Sequence, residues 1–463
     1  RLSVPASRLG VPQKPSPRMR GNAGRRRWQP KQQPAEVAAA AEAADTSNGA
    51  DAAAGARGPD PAEAAASRCT AGSGPAGSAE DGPSPGHLGW AVSFGKNVYG
   101  QLGRPTASGS SGTVARIEGL AAAGPASAAS CGFDHSALVA GGRLLLFGKN
   151  NRGQSGQPSS GQRGDKDRPD PAEDVLVPTP AAGLPSSCIV SSVACGGEHV
   201  VLLLEGGEVW ALGDNSKGQC GLGAGSPRFS PAARRCERLG PMSAVSAGYR
   251  HSAALSEGRG SLYVWGAGNQ GQLGLGGRRD SPEPQLLDVG APVHACVLGR
   301  WHSLAATEKC VWAFGWGRFG VLGQGDMTDH RSPVRIEGLP GTSGGLHCIV
   351  SGAVHCGAVV GDERQPLVWG RGQLGRLGLG SEANALWPTP VPNISGVEQL
   401  AMGGDFSAVR LADGSWHVWG KGEEGQLGLG EVDRAKRLRP TPTQALQGAR
   451  LVALGDCHGI ALP

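Results

Sequence analysis

Trp265-Gly266-Ala267-Gly268-Asn269-Gln270-Gly271-Gln272-Leu273-Gly274-Leu275-Gly276 follows directly on the short run Leu262-Tyr263-Val264. A short apolar run of this length reads as a β-strand, and glycines clustered behind it read as a tight turn needing positive φ angles. Gly266, Gly271 and Gly274 define a frame, G-x-x-x-x-G-x-x-G, that is not confined to this stretch. It recurs with its first glycine at Gly95, Gly148, Gly213, Gly266, Gly315, Gly370 and Gly420, at intervals of 53, 65, 53, 49, 55 and 50 residues. Each copy is preceded by a strand-like run, as in Trp416-His417-Val418-Trp419.

A second pattern falls between successive copies: an apolar strand ending in Gly, two variable residues, His, then another apolar strand. Ser192-Val193-Ala194-Cys195-Gly196-Gly197-Glu198-His199-Val200-Val201-Leu202 is the clearest case. The histidine position is held by His135, His199, His251, His302, His355 and His458, with Phe406 in the sixth unit. Each unit thus supplies about four short strands and no helical period. A four-stranded sheet cannot bury both faces alone, whereas radially stacked sheets form a closed core. The fold class read from residues 89–463 is all-β, a seven-bladed β-propeller. Its first unit begins at the Trp90–Phe94 strand with no inner hairpin before it. The last ends in 451–462, a hairpin with no Trp-Gly strand after it. These two incomplete ends are expected to pair in one sheet, which removes two open edges.

Residues 1–88 read as a disordered basic arm followed by a linker. Residues 1–35 carry nine Lys or Arg, among them Arg18, Arg20, Arg25, Arg26, Arg27 and Lys31, and no acid. From about 35 to 86 the chain is Ala/Gly/Pro/Ser/Asp-rich with almost no large apolar residue, too little to offset its ordering entropy. The 33 cations and 31 acids of 89–463 nearly cancel, so a partner of the arm need not be a partner of the body. The eleven cysteines form no CxxC pair and no metal-ligand spacing, which excludes a disulfide framework and points to a reducing compartment. Cys131 and Cys195 read as small buried hydrophobes. No apolar run approaches the roughly 18–20 residues that a membrane-spanning helix needs.

Two motifs invite enzymatic readings. Four of the glycine frames contain GxGxxG, but dinucleotide binding needs a helix N-terminus behind the glycines, and Gly/Pro-rich chain follows instead. The histidines recur once per blade, whereas a catalytic base is one residue in one cleft. They are expected to hydrogen-bond neighbouring backbone. No catalytic residue, metal ligand or cofactor is assigned.

The runs at 265–276 and 418–430, with Val193-Ala194-Cys195-Gly196-Gly197-Glu198-His199, resemble the repeat of the regulator of chromosome condensation family. The resemblance covers about 90–463. The departures are Val321 and Arg376 where Gln follows the second glycine elsewhere, and Phe406 in place of His. It implies a monomeric interaction propeller that binds a partner protein on one face, with a small GTPase as the partner class. Members include the nucleotide exchange factor for Ran, which prises nucleotide out without covalent chemistry. The longest insertion, 157–174, is polar and does not resemble a wedge aimed into a nucleotide site. Chromatin or nucleic-acid attachment through the arm is a second class, since unopposed cations bind phosphates by counterion release. An organellar assembly factor is a third, if the arm is a mitochondrial transit peptide, a reading its prolines oppose. The first two place the chain in the cytoplasm or nucleus.

The variable pairs of the Gly-x-x-His turns must lie at equal distance from the propeller axis. They are Phe133-Asp134, Gly197-Glu198, Tyr249-Arg250, Arg300-Trp301, Ala353-Val354, Gly404-Asp405 and Asp456-Cys457. Asp405, Asp456, Asp134 and Glu198 form an acidic arc. Tyr249, Arg250, Arg300 and Trp301 form a basic aromatic arc opposite, residue types that dominate interface energetics. A partner is expected to dock there with Arg300 and Trp301 as anchor.

Overall fold

The computed structural model describes residues 90–463 apart from 106–108, 121–122, 159–172, 259 and 431–432. The arm residues, and nearly all of the 157–174 insertion, lie outside the described residues. What is described forms seven four-stranded antiparallel sheets. Blade one consists of Ala126–Cys131, His135–Ala140, Arg143–Gly148 and Val175–Pro180. Blades two to six repeat it over 190–235, 242–287, 293–335, 346–390 and 397–443.

Blade seven is assembled from both ends of the described chain. Its strands run in the order Ser110–Arg116, Val92–Lys96, His458–Leu462, Leu451–Leu454. Val92 pairs with Ala461, Ser93 with Ile460, Phe94 with Gly459 and Gly95 with His458. The pairing expected between 90–94 and 451–462 is therefore present, and the ring closes through backbone hydrogen bonds.

The first strand of each blade touches the first strand of the next, around the axis. The second strand is the most deeply buried, as in His199–Leu204 and His355–Val360, whose residues are all buried. The fourth strand lies at the rim and keeps exposed positions such as Leu176 and Leu286. Burial thus falls from the inner strands to the rim, and the core lies between blades.

Glycine is required where strands meet backbone to backbone. Gly266 has φ +100°, and a Cβ there would stand 2.6 Å from the Arg250 carbonyl oxygen. The histidines do something the sequence did not show. Their Nε2 atoms bond a side chain of the next blade rather than backbone: His199 to Ser252 Oγ (2.8 Å), His251 to Ser303 (3.0 Å), His355 to Ser407 (3.0 Å) and His458 to Ser136 (2.8 Å). Each of these hydroxyls donates to a carbonyl in the preceding glycine frame, Ser252 to Gln219 O and Ser407 to Arg376 O, so the imidazole must donate. Gln219 O and Arg376 O also accept the indole N–H of Trp265 and Trp419, both at 2.9 Å. This buried relay joins three segments across a blade boundary. In blade four His302 meets Cys356 Sγ (3.1 Å) and Ser351 Oγ (2.9 Å) instead. The other two blades lack the bond: blade six has Phe406 in place of His, with Gly459 in place of the serine, and for His135 the position of that serine is held by Val200, which offers no hydroxyl.

Candidate functional site

In an up-and-down blade, the loop after the first strand and the loop after the third emerge on the same face. Here the first is the Gly-x-x-His turn and the second is the glycine frame. The bond from Lys149 N to Asp134 O (2.8 Å) ties the two together in blade one, and Ala267 N to Arg250 O (2.8 Å) repeats it in blade three. One face of the ring therefore carries both sets of variable residues.

The turns form a continuous inner ring. Tyr249 N donates to Gly299 O (3.3 Å), Arg300 N to Ala353 O (3.1 Å), Ala353 N to Gly403 O (3.2 Å) and Gly404 N to Gly455 O (3.0 Å). Gly197 N and Asp456 N extend the series to Tyr249 O and Gly132 O. A Cβ on Gly132 would stand 2.7 Å from Gly196 O, so the turns touch each other directly. On the first strands of blades one to four, Ser130, Ala194, Ser246 and Cys296 line a cavity of about 20 Å³, room for a single water.

The two arcs differ from each other and from the sequence expectation. On the basic side, the Arg300 guanidinium lies over the rings of Trp301 (4.1 Å) and Tyr249 (5.0 Å), and Arg250 lies over Tyr249 (5.1 Å). Phe133 closes on Tyr249 at 6.1 Å from blade one. Trp301 meets Trp316 edge to face at 4.9 Å, Trp316 meets Phe319 at 5.6 Å, and Arg371 covers Phe319 at 4.5 Å. Arg300 is only 8% exposed, while Tyr249, Arg250 and Trp301 are half-buried. Sequence reasoning missed Trp316, Phe319 and Arg371. The strand count alone would have placed their glycine-frame loops on this face.

The acidic arc is not an open negative surface. Asp134 is held by Lys96 (2.9 Å) and Lys149 (3.5 Å), Glu198 by Arg152 (3.8 Å), and Asp405 by Arg376 (2.8 Å). Asp134 and Asp456 are buried. Burial first, then the neighbouring Asp405 and Asp134, raises the Asp456 carboxyl well above the usual carboxylate range. Glu198 is raised by burial and by Asp214. The opposing cations come from the glycine frames, whose charges the sequence reading had not assigned to this face.

Arg376 and Val321 also reshape their loops. In five frames the glutamine Oε1 accepts the backbone N–H two residues earlier, as from Tyr99, Lys217 and Gln270. In the frames lacking it, the residue that loses this bond takes a left-handed conformation, Phe319 with φ 60° and Leu374 with φ 62°. The turn of Phe319 brings its ring to Trp316.

The RCC1-like domain model matches residues 90–461. The chain belongs to the RCC1-like domain family. Its likeness to the Ultraviolet-B receptor UVR8 of Arabidopsis thaliana is 29% identity over 281 residues, covering 59% of this chain and 60% of that protein. The X-linked retinitis pigmentosa GTPase regulator of Canis lupus familiaris is 33% identical over 330 residues, covering 57% of this chain and 30% of that one. The chain thus spans less than two thirds of the curated relatives it matches. Among solved structures, Prp20p of Saccharomyces cerevisiae, described with its binding to Gsp1p and histones, superposes with a TM-score of 0.66 at 19% identity. That match covers 81% of this chain and 92% of Prp20p, and at this identity it shows the shared fold. In this RCC1-like domain no metal-binding cluster and no α-helix occur among the described residues, only three 3₁₀ turns. The GxGxxG stretches therefore have no helix behind them. No helix among the described residues is long and apolar enough to cross a membrane. The ten described cysteines form no disulfide among the described residues, and Cys131 and Cys195 are fully buried.

Proposed function

We propose that this RCC1-like propeller is a non-catalytic regulator that seats a partner protein on the face of the Gly-x-x-His turns, and that the partner is a small GTPase. The observation that carries the reading is Arg300. It is nearly buried yet held between Tyr249 and Trp301, at the edge of an aromatic series running to Phe319. Buried Arg beside Trp and Tyr is the composition of an interface anchor, and its ordering cost is already met in the free protein. The GTPase class is supported by the relatives, one named as a GTPase regulator and one described with binding to Gsp1p. Cytoplasm or nucleus is the proposed location.

A panel of small GTPases loaded with fluorescent nucleotide tests this. One member should release nucleotide faster when the full chain is added. Alanine at Tyr249, Arg250, Arg300 and Trp301 should then weaken binding, by ~2 kcal/mol or more at the best site. No response across the panel removes the GTPase. Unchanged affinity in all four folded variants removes the face.

The arm supports a second attachment. Its nine cations without an acid fit a phosphate backbone, and the description of Prp20p includes histones.

A further inference from the structure

We infer that the outer strand of blade seven, Ser110–Arg116, takes a further β-strand from a partner protein: an extended segment with an acidic side chain two residues from a β-branched one. The inference goes beyond the docking reading above, since it concerns the rim and not the turn face.

Its starting point is a register shared by all seven blades. The residue two before each frame glycine pairs with a residue of the rim strand, as Ser93 with Ala115 and Val368 with Thr389. In five blades the rim residue just before that partner is a proline: Pro178, Pro284, Pro333, Pro388 and Pro440. Blade two has Ala233 there, and its N–H already donates to Ala182 O (2.8 Å). Blade seven has Val114. Two residues on, Pro180, Pro390 and Pro442 occupy three of the rims where blade seven has Arg116. Ser110–Arg116 contains no proline, whereas each of the other six rim strands has at least one. Proline on an exposed edge removes the N–H that would template another strand. Blade seven lacks that protection.

The backbone groups at this edge are also free. Ile117 N donates to Ala91 O (3.0 Å) and Ala115 pairs with Ser93, so Arg116 between them turns its N–H and C=O away from Val92–Lys96. Neither Val114 N nor Arg116 N donates to another backbone group among the described residues. Nearer the turn face the strand is covered, since Gly112 O accepts Gly430 N (3.1 Å) and Ser110 O accepts Arg434 Nη2 (3.0 Å). The chain leaves the sheet at Glu118, whose N–H donates to Gly103 O (3.1 Å). Val114–Arg116 is therefore the open stretch, and alternating backbone donors and acceptors fit an extended chain.

The side chains say which chain. Val92, opposite Arg116 in the ladder, packs in the same cluster as Val114, so Val114 and Arg116 share one face of the sheet. The Arg116 guanidinium lies 3.5 Å from the centroid of the Trp90 ring, itself 52% exposed. Stacked by its flat face, it keeps its in-plane donors for a carboxylate. An acidic residue opposite Arg116 and a β-branched one opposite Val114 match the edge as cross-strand pairs. A second copy of Ser110–Arg116 offers no acid. The protein's own residues 35–86 hold only Val37, Thr46 and Thr70 as β-branched residues, and Pro83 and Pro85 lack the N–H that a ladder needs. A partner chain is the occupant that fits.

The test uses the full chain, isotope-labelled at valine nitrogen, and the blocked peptide Glu-Thr-Val-Thr-Glu, whose palindrome suits either strand direction. The Val114 amide resonance, identified by its absence from V114P, should shift saturably as peptide is added. Anisotropy of the fluorescein-labelled peptide should show V114P weakening binding at least ~5-fold. V114P copies what five blades already carry, and R116E serves as a second variant, both checked for fold by circular dichroism. The Lys-Thr-Val-Thr-Lys peptide, and the acidic peptide N-methylated at Val and Glu, should bind at least ~5-fold more weakly. Four results would overturn the inference: an unmoved Val114 amide, binding indifferent to both variants, equal binding of the Lys peptide, or equal binding of the N-methylated one. Indifference to both variants would assign the acidic peptide to the basic arm.

Discussion

Acid should unfold this propeller at an unusually mild pH, because the buried blade histidines cannot be protonated in place. Burial, the largest cause in every case, lowers His135, His199, His251, His302 and His458 from 6.5 to about 3. His355 is lowered well below its ordinary value too. Each imidazole is neutral in the folded ring and takes up a proton in the unfolded chain near pH 6.5. Between pH 6.5 and about 3 the unfolded chain therefore binds more protons, and stability falls as pH falls. Above 6.5 the contribution is fully present. At pH 5 the cost is about 2 kcal/mol per histidine. Five of them sum to about 10 kcal/mol, comparable with the whole stability of a domain. Asp456 and Glu198, raised by burial, act in the opposite sense but are outnumbered. Urea unfolding followed by tryptophan fluorescence from pH 8 to pH 5 should give flat stability above pH 7 and a steep loss below about pH 6.5, with an uptake of about five protons. His251→Phe, which copies Phe406 of blade six, should lower that uptake by about one proton. Stability independent of pH between 7.5 and 5.5 would refute the reasoning.

Three further outcomes are expected, two from the geometry and one from the charge of the arm. Val200→Ser gives His135 the hydroxyl that Ser252 gives His199, so chemical denaturation should find it within about 1 kcal/mol of the parent, whereas Val201→Ser one residue on should cost about 3 kcal/mol. Leu374→Gly relieves a left-handed leucine, and calorimetry should show a gain of about 0.5–1 kcal/mol where glycine at most other strand or turn positions would destabilise. Deleting residues 1–34 should abolish most DNA binding at low salt and flatten its salt dependence, measured by electrophoretic shift against salt.

The ring and its closure were legible because each depends on order along the chain. Seven glycine frames in register mean seven blades, and two half-units at 90–94 and 451–462 can only complete each other. What could not be read was whatever crosses a blade boundary. The serine after His251 is plain in the sequence, but its partner is His199, and nothing local says that the bond runs backwards by one blade. The two arcs failed to balance for the same reason. Asp134 and Asp405 can be counted along the chain, but the convergence of Lys96, Lys149 and Arg376 on them depends on loops of another strand pair sharing the face. The basic arc was visible because its aromatic and cationic residues are adjacent in sequence, as in Arg300-Trp301.

Strand Val92–Lys96 is hydrogen-bonded on both sides, to Ser110–Arg116 and to His458–Leu462, and runs toward the face of the Gly-x-x-His turns, where Lys96 N meets Cys457 O. Trp90, at its other end, therefore enters the ring on the opposite face, roughly 20 Å away at the rise of an extended chain. A partner on the turn face and a load applied at Trp90 would act on opposite ends of this strand. Tension between them would load this strand in shear against two neighbours at once, so that all its bonds must break together rather than unzip one by one.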